Sequence, residues 1–509
     1  MKRYAWLMII LFFQALIFAG PRIQPEDLVY LGAFRLPDGP EDIGWAYSGQ
    51  ALTYYPEGDP EGQDVFSGSL FGTGHRWNTY VSEISIPVPV ISLNKNLDEL
   101  NMAVTLQSFQ NIRPAYFDTV YLEQTRAGLA YLSPQGSQIT GKLYYCFAAH
   151  AGQMDAKPVH GWCEQNLSDS RQAGPWYMED YRNYLTADYI FDIPESWAGL
   201  YTPGMRLATG RFRDGGQVSK GPTIFAYGPW NEGNPPEQGS TIACTPLLVY
   251  GDVDTENSPA LHNYHHSDAW DGSVWLTAGD KSAVIFTGTK GRGQCWYGLI
   301  DGTVWEPPYP NDKPDSLLET RGWWSEMLTG QMIFFDTDDL AAVARGEMAL
   351  WEPQPYDSLD LDPYLYHIQS ERQKMHVQAC AFDREHGYLY VMEPEVDDYK
   401  SLIHVWQVQG EETDVHRSTS DVQGFQLLQT YPNPFNRQSV IRYRISRACR
   451  IKVRIFDVSG RKKLDIRLGK QTVGLHQYTI DTAQWESGVY LFQLIAGENQ
   501  STVKMILAK

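Results

Sequence analysis

A short strand-forming phrase recurs along the first four hundred residues, and that repetition restricts the chain to architectures that stack one unit many times. Ser48-Gly-Gln-Ala-Leu-Thr-Tyr-Tyr-Pro56 is followed by Gly68-Ser-Leu-Phe-Gly-Thr-Gly-His75 and Tyr80-Val-Ser-Glu-Ile-Ser-Ile-Pro87. The phrase returns as Ala127-Gly-Leu-Ala-Tyr-Leu-Ser-Pro134, Gly141-Lys-Leu-Tyr-Tyr-Cys-Phe-Ala-Ala-His150 and, after an insertion, Ala187-Asp-Tyr-Ile-Phe-Asp-Ile-Pro194. A third copy runs through Gln378–Asp383, Gly387–Glu393 and Leu402–Val408, with weaker copies around 221–228 and 272–288. Three or four short strands with a tight glycine-bearing turn cannot bury both faces alone, whereas such units set around an axis can. The body, residues 20–409, therefore reads as all-β, a β-propeller of five to seven blades. A large β-sandwich or β-helix is the rival; the long stretches Ala151–Thr186 and Trp305–Leu328 fit better as loops on one propeller face than as interruptions of a regular solenoid.

The two ends of the chain carry different information. Lys2 and Arg3 precede an apolar run from Tyr4 to Phe18 that closes on Ala19 and Gly20, the order of a secretory signal peptide over residues 1–19. No cysteine follows it, which argues against a lipid anchor, and no later segment has the apolar length of a membrane span, so the mature protein is expected to have no transmembrane segment. At the other end, beyond a linker over 410–424, residues 440–445 and 451–456 alternate apolar with basic or polar side chains, as a strand with one buried face does. Pro432 and Pro434 stiffen the entry, and Asp457-Val-Ser-Gly460 supplies turn chemistry.

Residues 425–509 combine Gln429-Thr-Tyr-Pro-Asn-Pro-Phe-Asn436, Ile451-Lys-Val-Arg-Ile-Phe-Asp-Val-Ser-Gly-Arg461, Gly488-Val-Tyr-Leu-Phe-Gln-Leu494 and Val503-Lys-Met-Ile-Leu-Ala-Lys509. In order and spacing this segment, about a sixth of the chain, closely resembles the C-terminal sorting domain of type IX secretion cargo. The resemblance implies a small Ig-like β-sandwich, the type IX secretion machinery as a partner, and a secreted or outer-surface destination reached through the periplasm.

Charge divides the chain in the same place. Of 41 basic and 61 acidic residues, the segment from Phe425 holds 14 and 5, leaving a body near −29 and a tail near +9. Phosphate would be repelled by such a body, so nucleic acid is not an expected partner. Solubility outside the cell is the plain meaning of the charge. The Asp-rich stretches at 336–339 and 357–362 lack a calcium-loop pattern, and Asp338 or Asp339 reads as the cap of a short helix Leu340–Arg345 ended by Gly346. The six cysteines form no Cys-x-x-Cys pair; bridges Cys146–Cys163 and Cys244–Cys295 are conceivable, and buried free thiols suit a body this large equally well.

Three groups of residues are candidates for chemistry. His75, His150 and Glu393 end corresponding strands in the repeats, where they would converge on a central funnel as catalytic groups or simply close strands through hydrogen bonds; Glu393 with Asp271 is the one nominated carboxylate pair. His262, His266 and Asp268 offer imidazole and carboxylate donors for a divalent metal, against a reading as a polar strand entering a loop. Lys290, Arg292, Trp296 and Tyr297 place two cations among glycines before paired aromatics, which suits an acidic sugar, or else forms a turn with solvated charges. Fourteen tryptophans lie in the body, some beside Gly, Pro or Asn, where sugar stacking is a natural use. The expectation is a propeller that acts on extracellular polysaccharide as a lyase or glycosidase, with a non-catalytic glycan-binding or protein-interaction propeller as the alternative.

Overall fold

The structure is a computed structural model that describes residues 21–507 apart from 60–65, 120–125, 149–155, 213–218, 253–254, 411–424, 432–436, 446–448, 458–460, 473, 483, 486 and 497–498. The leader lies outside the described residues. The chain forms two compact units, Met1–Glu411 and Glu412–Lys509.

The first unit is all-β. β1 (Leu28–Arg35) stands apart in sequence from its sheet. The first sheet is β2 (Leu52–Tyr55), β3 (Ser69–Thr73), β4 (Val81–Ile84) and β5 (Thr105–Gln110), in chain order. The second sheet holds β6 (Arg126–Leu132), β7 (Lys142–Ala148), β8 (His160–Cys163) and β9 (Ala173–Met178). The third has β10 (Tyr189–Asp192), β11 (Leu207–Gly210) and β12 (Ile224–Tyr227). A two-residue strand, β13 (Thr241–Ile242), returns to β9, and β14 (Cys244–Leu248) completes the third sheet. The fourth is β15 (Ala269–Ala278), β16 (Lys281–Gly298), β17 (Gly322–Phe335) and β18 (Asp357–Asp360). The fifth is β19 (Cys380–Asp383), β20 (Tyr388–Asp397) and β21 (Lys400–Val408), and β1 pairs with β21 as its fourth strand, from Leu28↔Val408 to Arg35↔Leu402.

The first strand of each sheet packs on the first strand of the next. β2 meets β6, β6 meets β10, β10 meets β15, β15 meets β19, and β19 meets β2, so the five close into a circuit. The approach is close enough to need glycine. A Cβ on Gly128 would stand 2.7 Å from the backbone of Tyr189 and Ile190, and one on Gly272 would stand 2.4 Å from the Gln378 carbonyl. Three apolar clusters fill the spaces between successive sheets: Leu52, Leu70 and Ile84 pack with Ala381, Tyr390 and Ile403, for example, and Leu129 and Tyr145 with Ile190 and Phe225. Each such side chain contributes about 1.5–3 kcal/mol by leaving water, and a single sheet could bury only one of its faces.

Several expectations need correction. Residues 151–186 are not only a loop: they hold β8 and β9, so Ala187–Pro194 opens the third sheet instead of completing the second. The stretch read as a glycine-rich turn at 287–298 belongs to the 18-residue strand β16, and Gly322–Leu328 to its partner β17. The short helix is Thr337–Ala344; its cap is Asp336, whose carboxylate accepts the Asp338 N–H at 2.9 Å, while Gly346, with φ +71°, follows it as expected. All six cysteines are free thiols, so neither conceivable bridge is made.

The second unit has a three-stranded sheet of β22 (Phe425–Tyr431), β23 (Gln438–Ile445) and β26 (Gly474–Asp481). Its other sheet is β24 (Cys449–Asp457), β25 (Lys462–Gln471), β27 (Gly488–Ala496) and β28 (Asn499–Leu507), in the order β25-β24-β27-β28. In β24 Ile451, Val453 and Ile455 are buried while Arg450, Lys452 and Arg454 are more exposed, the period-2 alternation of one buried face. Tyr443, Phe492 and Leu494 complete its core.

Candidate functional site

Of the residues nominated from the repeats, Glu393 stands on the second strand of its sheet and His75 just past that of its own, at the end where the first strands begin. His150 lies outside the described residues. His75 follows β3, half-buried and edge-on to Tyr47 at 5.4 Å; its Nδ1 accepts the Trp77 N–H at 3.3 Å, and burial followed by the Arg76 charge pushes its pKa below the ordinary range. Glu393 is buried in β20 and occupied. It accepts the backbone N–H of Tyr366 at 2.8 Å and of His367 at 2.7 Å, and is 2.8 Å from His404 Nε2. His404 Nδ1 in turn meets the Tyr30 hydroxyl at 2.9 Å. Asp271, on β15, is ion-paired with Arg126, on β6, at 2.7 Å. Glu393 and Asp271 are thus each engaged with different partners.

The other two groups meet on one ribbon. β15 pairs with β16 only as far as Ala269↔Thr289, whereas β16 and β17 continue together to Gly298↔Gly322. Residues from Lys290 onward therefore extend past the first strand as a two-stranded arm. At its base Lys290 is buried, with Nζ 2.8 and 2.9 Å from the Asp268 oxygens and 2.6 Å from the Asn263 carbonyl. Asp268 also accepts the N–H groups of Gly291 and His265 at 2.8 and 3.0 Å. Burial pushes its pKa up to about 6, against the pull of the Lys290 ammonium and these donors. Lys290 is therefore neutralised within the fold instead of facing an acidic sugar. Asp268 serves Lys290 instead of a metal: among the described residues no group of three His, Cys, Asp or Glu is placed to hold an ion. His262 is exposed, and His266 stacks on Trp323 at 4.1 Å with Nδ1 3.0 Å from the Tyr264 hydroxyl.

Further along the arm, Arg292 is exposed and its Nε donates to Thr329 Oγ1 at 3.1 Å. Trp296 is buried: its Nε1 donates to the Leu299 carbonyl at 3.1 Å, and the Arg372 guanidinium stands 5.1 Å above its ring. Trp296 is therefore packing. Tyr297 is different. It is 38% exposed and edge-on to Trp323 at 5.4 Å, and its carbonyl accepts the Trp305 N–H at 2.9 Å. Trp305 stacks with Tyr309 at 5.7 Å and carries the Arg321 guanidinium at 4.8 Å; Tyr309 is 53% exposed. Two ring pairs, Tyr297 with Trp323 and Trp305 with Tyr309, are thus joined through the Tyr297–Trp305 backbone, with Arg321 on the second. Sequence reasoning missed this grouping: Trp323 is one of fourteen body tryptophans, and Tyr309 and Arg321 carry no local motif.

Residues 429–508 match the family model of the secretion system C-terminal sorting domain. The chain thus bears a type IX sorting domain, which takes it out to the outer surface or the medium. No helix among the described residues is long and apolar enough to cross a membrane. No curated protein matches the chain by sequence. Among solved structures, it is similar to PorZ, a surface component of the type IX secretion system of Porphyromonas gingivalis, at 11% identity and TM-score 0.24, covering 90% of this chain and 51% of that one. The chain thus spans about half of PorZ. It is also similar to a glycoside hydrolase family 43 arabinoxylan arabinofuranohydrolase from Bacillus subtilis, at 8% identity, TM-score 0.31 and coverage of 92% and 96%. A fungal alcohol oxidase of the AA5 family, in complex with copper, follows at 8% identity, TM-score 0.24 and coverage of 91% and 85%. Likeness at these scores carries no weight for function.

Proposed function

We propose that the body is a five-bladed β-propeller, displayed at or beyond the outer surface, that binds extracellular glycan without turning it over. The closed circuit of five first strands, with the last sheet completed by β1, supports the propeller reading. One observation carries the binding reading: the ring pairs of Tyr297 with Trp323 and Trp305 with Tyr309 at the end of the arm, of which Tyr297 and Tyr309 are exposed. Aromatic faces match the C–H faces of sugars, and Arg321 supplies donors for hydroxyls. A glycosidase would need two carboxylates free to meet substrate; Glu393 is held by three partners and Asp271 by Arg126.

Retention of the purified mature protein on a panel of immobilised plant, algal and microbial polysaccharides tests this. Binding that drops on Tyr309→Ala, with no new reducing ends and no absorbance from unsaturated products, is the expected result. Release of either product, abolished by Glu393→Gln or Asp271→Asn in a protein that still binds, would restore the enzymatic reading.

A further inference from the structure

We infer a second sugar site at the seam between the first and fifth sheets, formed by Tyr47, Arg76, Trp77, Glu395 and Tyr399 and suited to neutral glycans. It rests on the glycan-binding reading above and names a ligand class for it. Three segments meet there: the approach to β2, the turn after β3, and the connection from β20 to β21. Their backbones are tied together. Tyr47 N–H donates to the Tyr399 carbonyl at 2.8 Å, Arg76 N–H to the Tyr47 carbonyl at 3.2 Å, and Ser48 Oγ lies 2.9 Å from Ser401 Oγ.

Several residues at the seam have left-handed backbone. Tyr47, Thr79, Glu395, Asp398 and Tyr399 have φ of +54°, +49°, +58°, +52° and +64°. Asp398 and Tyr399 are the two-residue loop of the β20–β21 hairpin, closed by the Asp397↔Lys400 pair, and such a turn needs φ > 0 at both positions. Here the result is a set of rings presented to solvent. Tyr399 is 55% exposed and stacks on Tyr47 at 5.0 Å with a 26° tilt; Trp77 is 53% exposed. The Arg76 guanidinium lies 5.1 Å from the Tyr47 ring and 5.9 Å from that of Trp77, and reaches Glu395 at 3.5 Å.

The charge balance selects the ligand. Arg76 is already opposed by Glu395, and burial keeps His75 toward its neutral form, so the seam has no surplus cation for a uronate or sulfate. What it does offer is two exposed ring faces, a fork of N–H donors and a carboxylate acceptor. A hydroxyl-rich neutral ring uses all three: C–H faces against Trp77 and Tyr399, hydroxyls donating to Glu395 and accepting from Arg76.

Affinity electrophoresis of the full-length mature protein in gels containing xyloglucan, glucomannan or galactan, with polygalacturonate as the charged probe, tests the site. Because Trp77 and Tyr399 are more than half exposed, Trp77→Ala and Tyr399→Asn leave the core intact, and asparagine tolerates the positive φ. We expect at least one neutral polymer to retard the protein, Trp77→Ala to weaken this roughly tenfold, and Trp77→Phe to restore most of it. Tyr309→Ala, on the other arm, serves as the comparison. Retardation unchanged in both seam variants but lost in Tyr309→Ala overturns the seam site and leaves the glycan-binding reading standing. Preference for polygalacturonate over every neutral polymer overturns the ligand class. A wild-type protein retarded by none of the four polymers overturns both.

Discussion

Arg126 and Asp271 meet at 2.7 Å although their strands, β6 and β15, are not neighbours in the circuit; β10 packs on both, so the ion pair ties the second sheet directly to the fourth. Asp271 is 2% and Arg126 14% exposed. Breaking so buried a pair typically costs about 3–5 kcal/mol. Asp271→Ala should lower the denaturation midpoint accordingly, and Arg126→Met in the same chain should recover part of the loss. Equal midpoints for wild type and Asp271→Ala would show that the pair does not hold the ring.

Glu393 has the same character as a structural acceptor. Its carboxylate fixes the segment around Tyr366 and His367 while Lys95 Nζ binds the Pro363 and Tyr364 carbonyls at 3.0 and 2.6 Å. Glu393→Ala leaves the buried His404 ring and two partly buried N–H groups without this acceptor, at up to about 1–3 kcal/mol for a buried one, whereas Glu393→Gln retains one acceptor oxygen. Proteolysis within 363–376 should therefore accelerate strongly in the alanine variant and mildly in the glutamine variant. The reverse order would break the assignment.

His160 gives the body an acid-sensitive point. It is buried between sheets, its Nε2 lies 3.0 Å from Thr209 Oγ1, and burial lowers its pKa to about 3. The folded form thus stays neutral where the unfolded chain, near 6.5, takes up a proton. Its contribution is present above pH 6.5 and is lost as pH falls toward 3, by at most about 1.4 kcal/mol per unit. Chemical denaturation at pH 7, 6 and 5 should show a shallower pH slope for His160→Gln than for wild type; identical slopes would sink the proposal.

The sorting domain makes a prediction about place. Deleting residues 425–509 removes the matched segment and leaves the compact unit of the body whole. Fractionated cells should then hold a folded, protease-resistant body in the periplasm, with none in the medium or on the surface. Normal surface levels of the truncated protein would contradict the assignment.

The strands that sequence could find are those where one face is buried and the pattern alternates, as in β24, or where small and apolar residues repeat, as in β6 and β19. β8 defeats that reasoning because all four of its residues, His160 to Cys163, are buried and none alternates. The candidate site was legible only in outline. Lys290 and Arg292 stand out among glycines, yet nothing local announces that Asp268, 22 positions earlier, neutralises Lys290. Trp296 and Tyr297 are adjacent and identical in promise, but alternation along β16 sends the first inward and the second out. The seam of Tyr47 and Tyr399 was invisible, since positive φ leaves no trace when the residue is a tyrosine and not a glycine.

The pairing of β1 with β21 imposes an order in time. Tyr30 and His404, which meet across that sheet, are 374 positions apart, so residues at the start of the body wait for residues at its end. At equilibrium such separation is cheap, since each doubling of a loop adds only about 0.6 kcal/mol; kinetically it makes closure a late and slow step. A chain still in transit must carry its fifth sheet unfinished, with the edge of β21 or of β1 open. Once closed, cutting after Val408 would leave the ring fastened, whereas losing residues 28–35 would unfasten it.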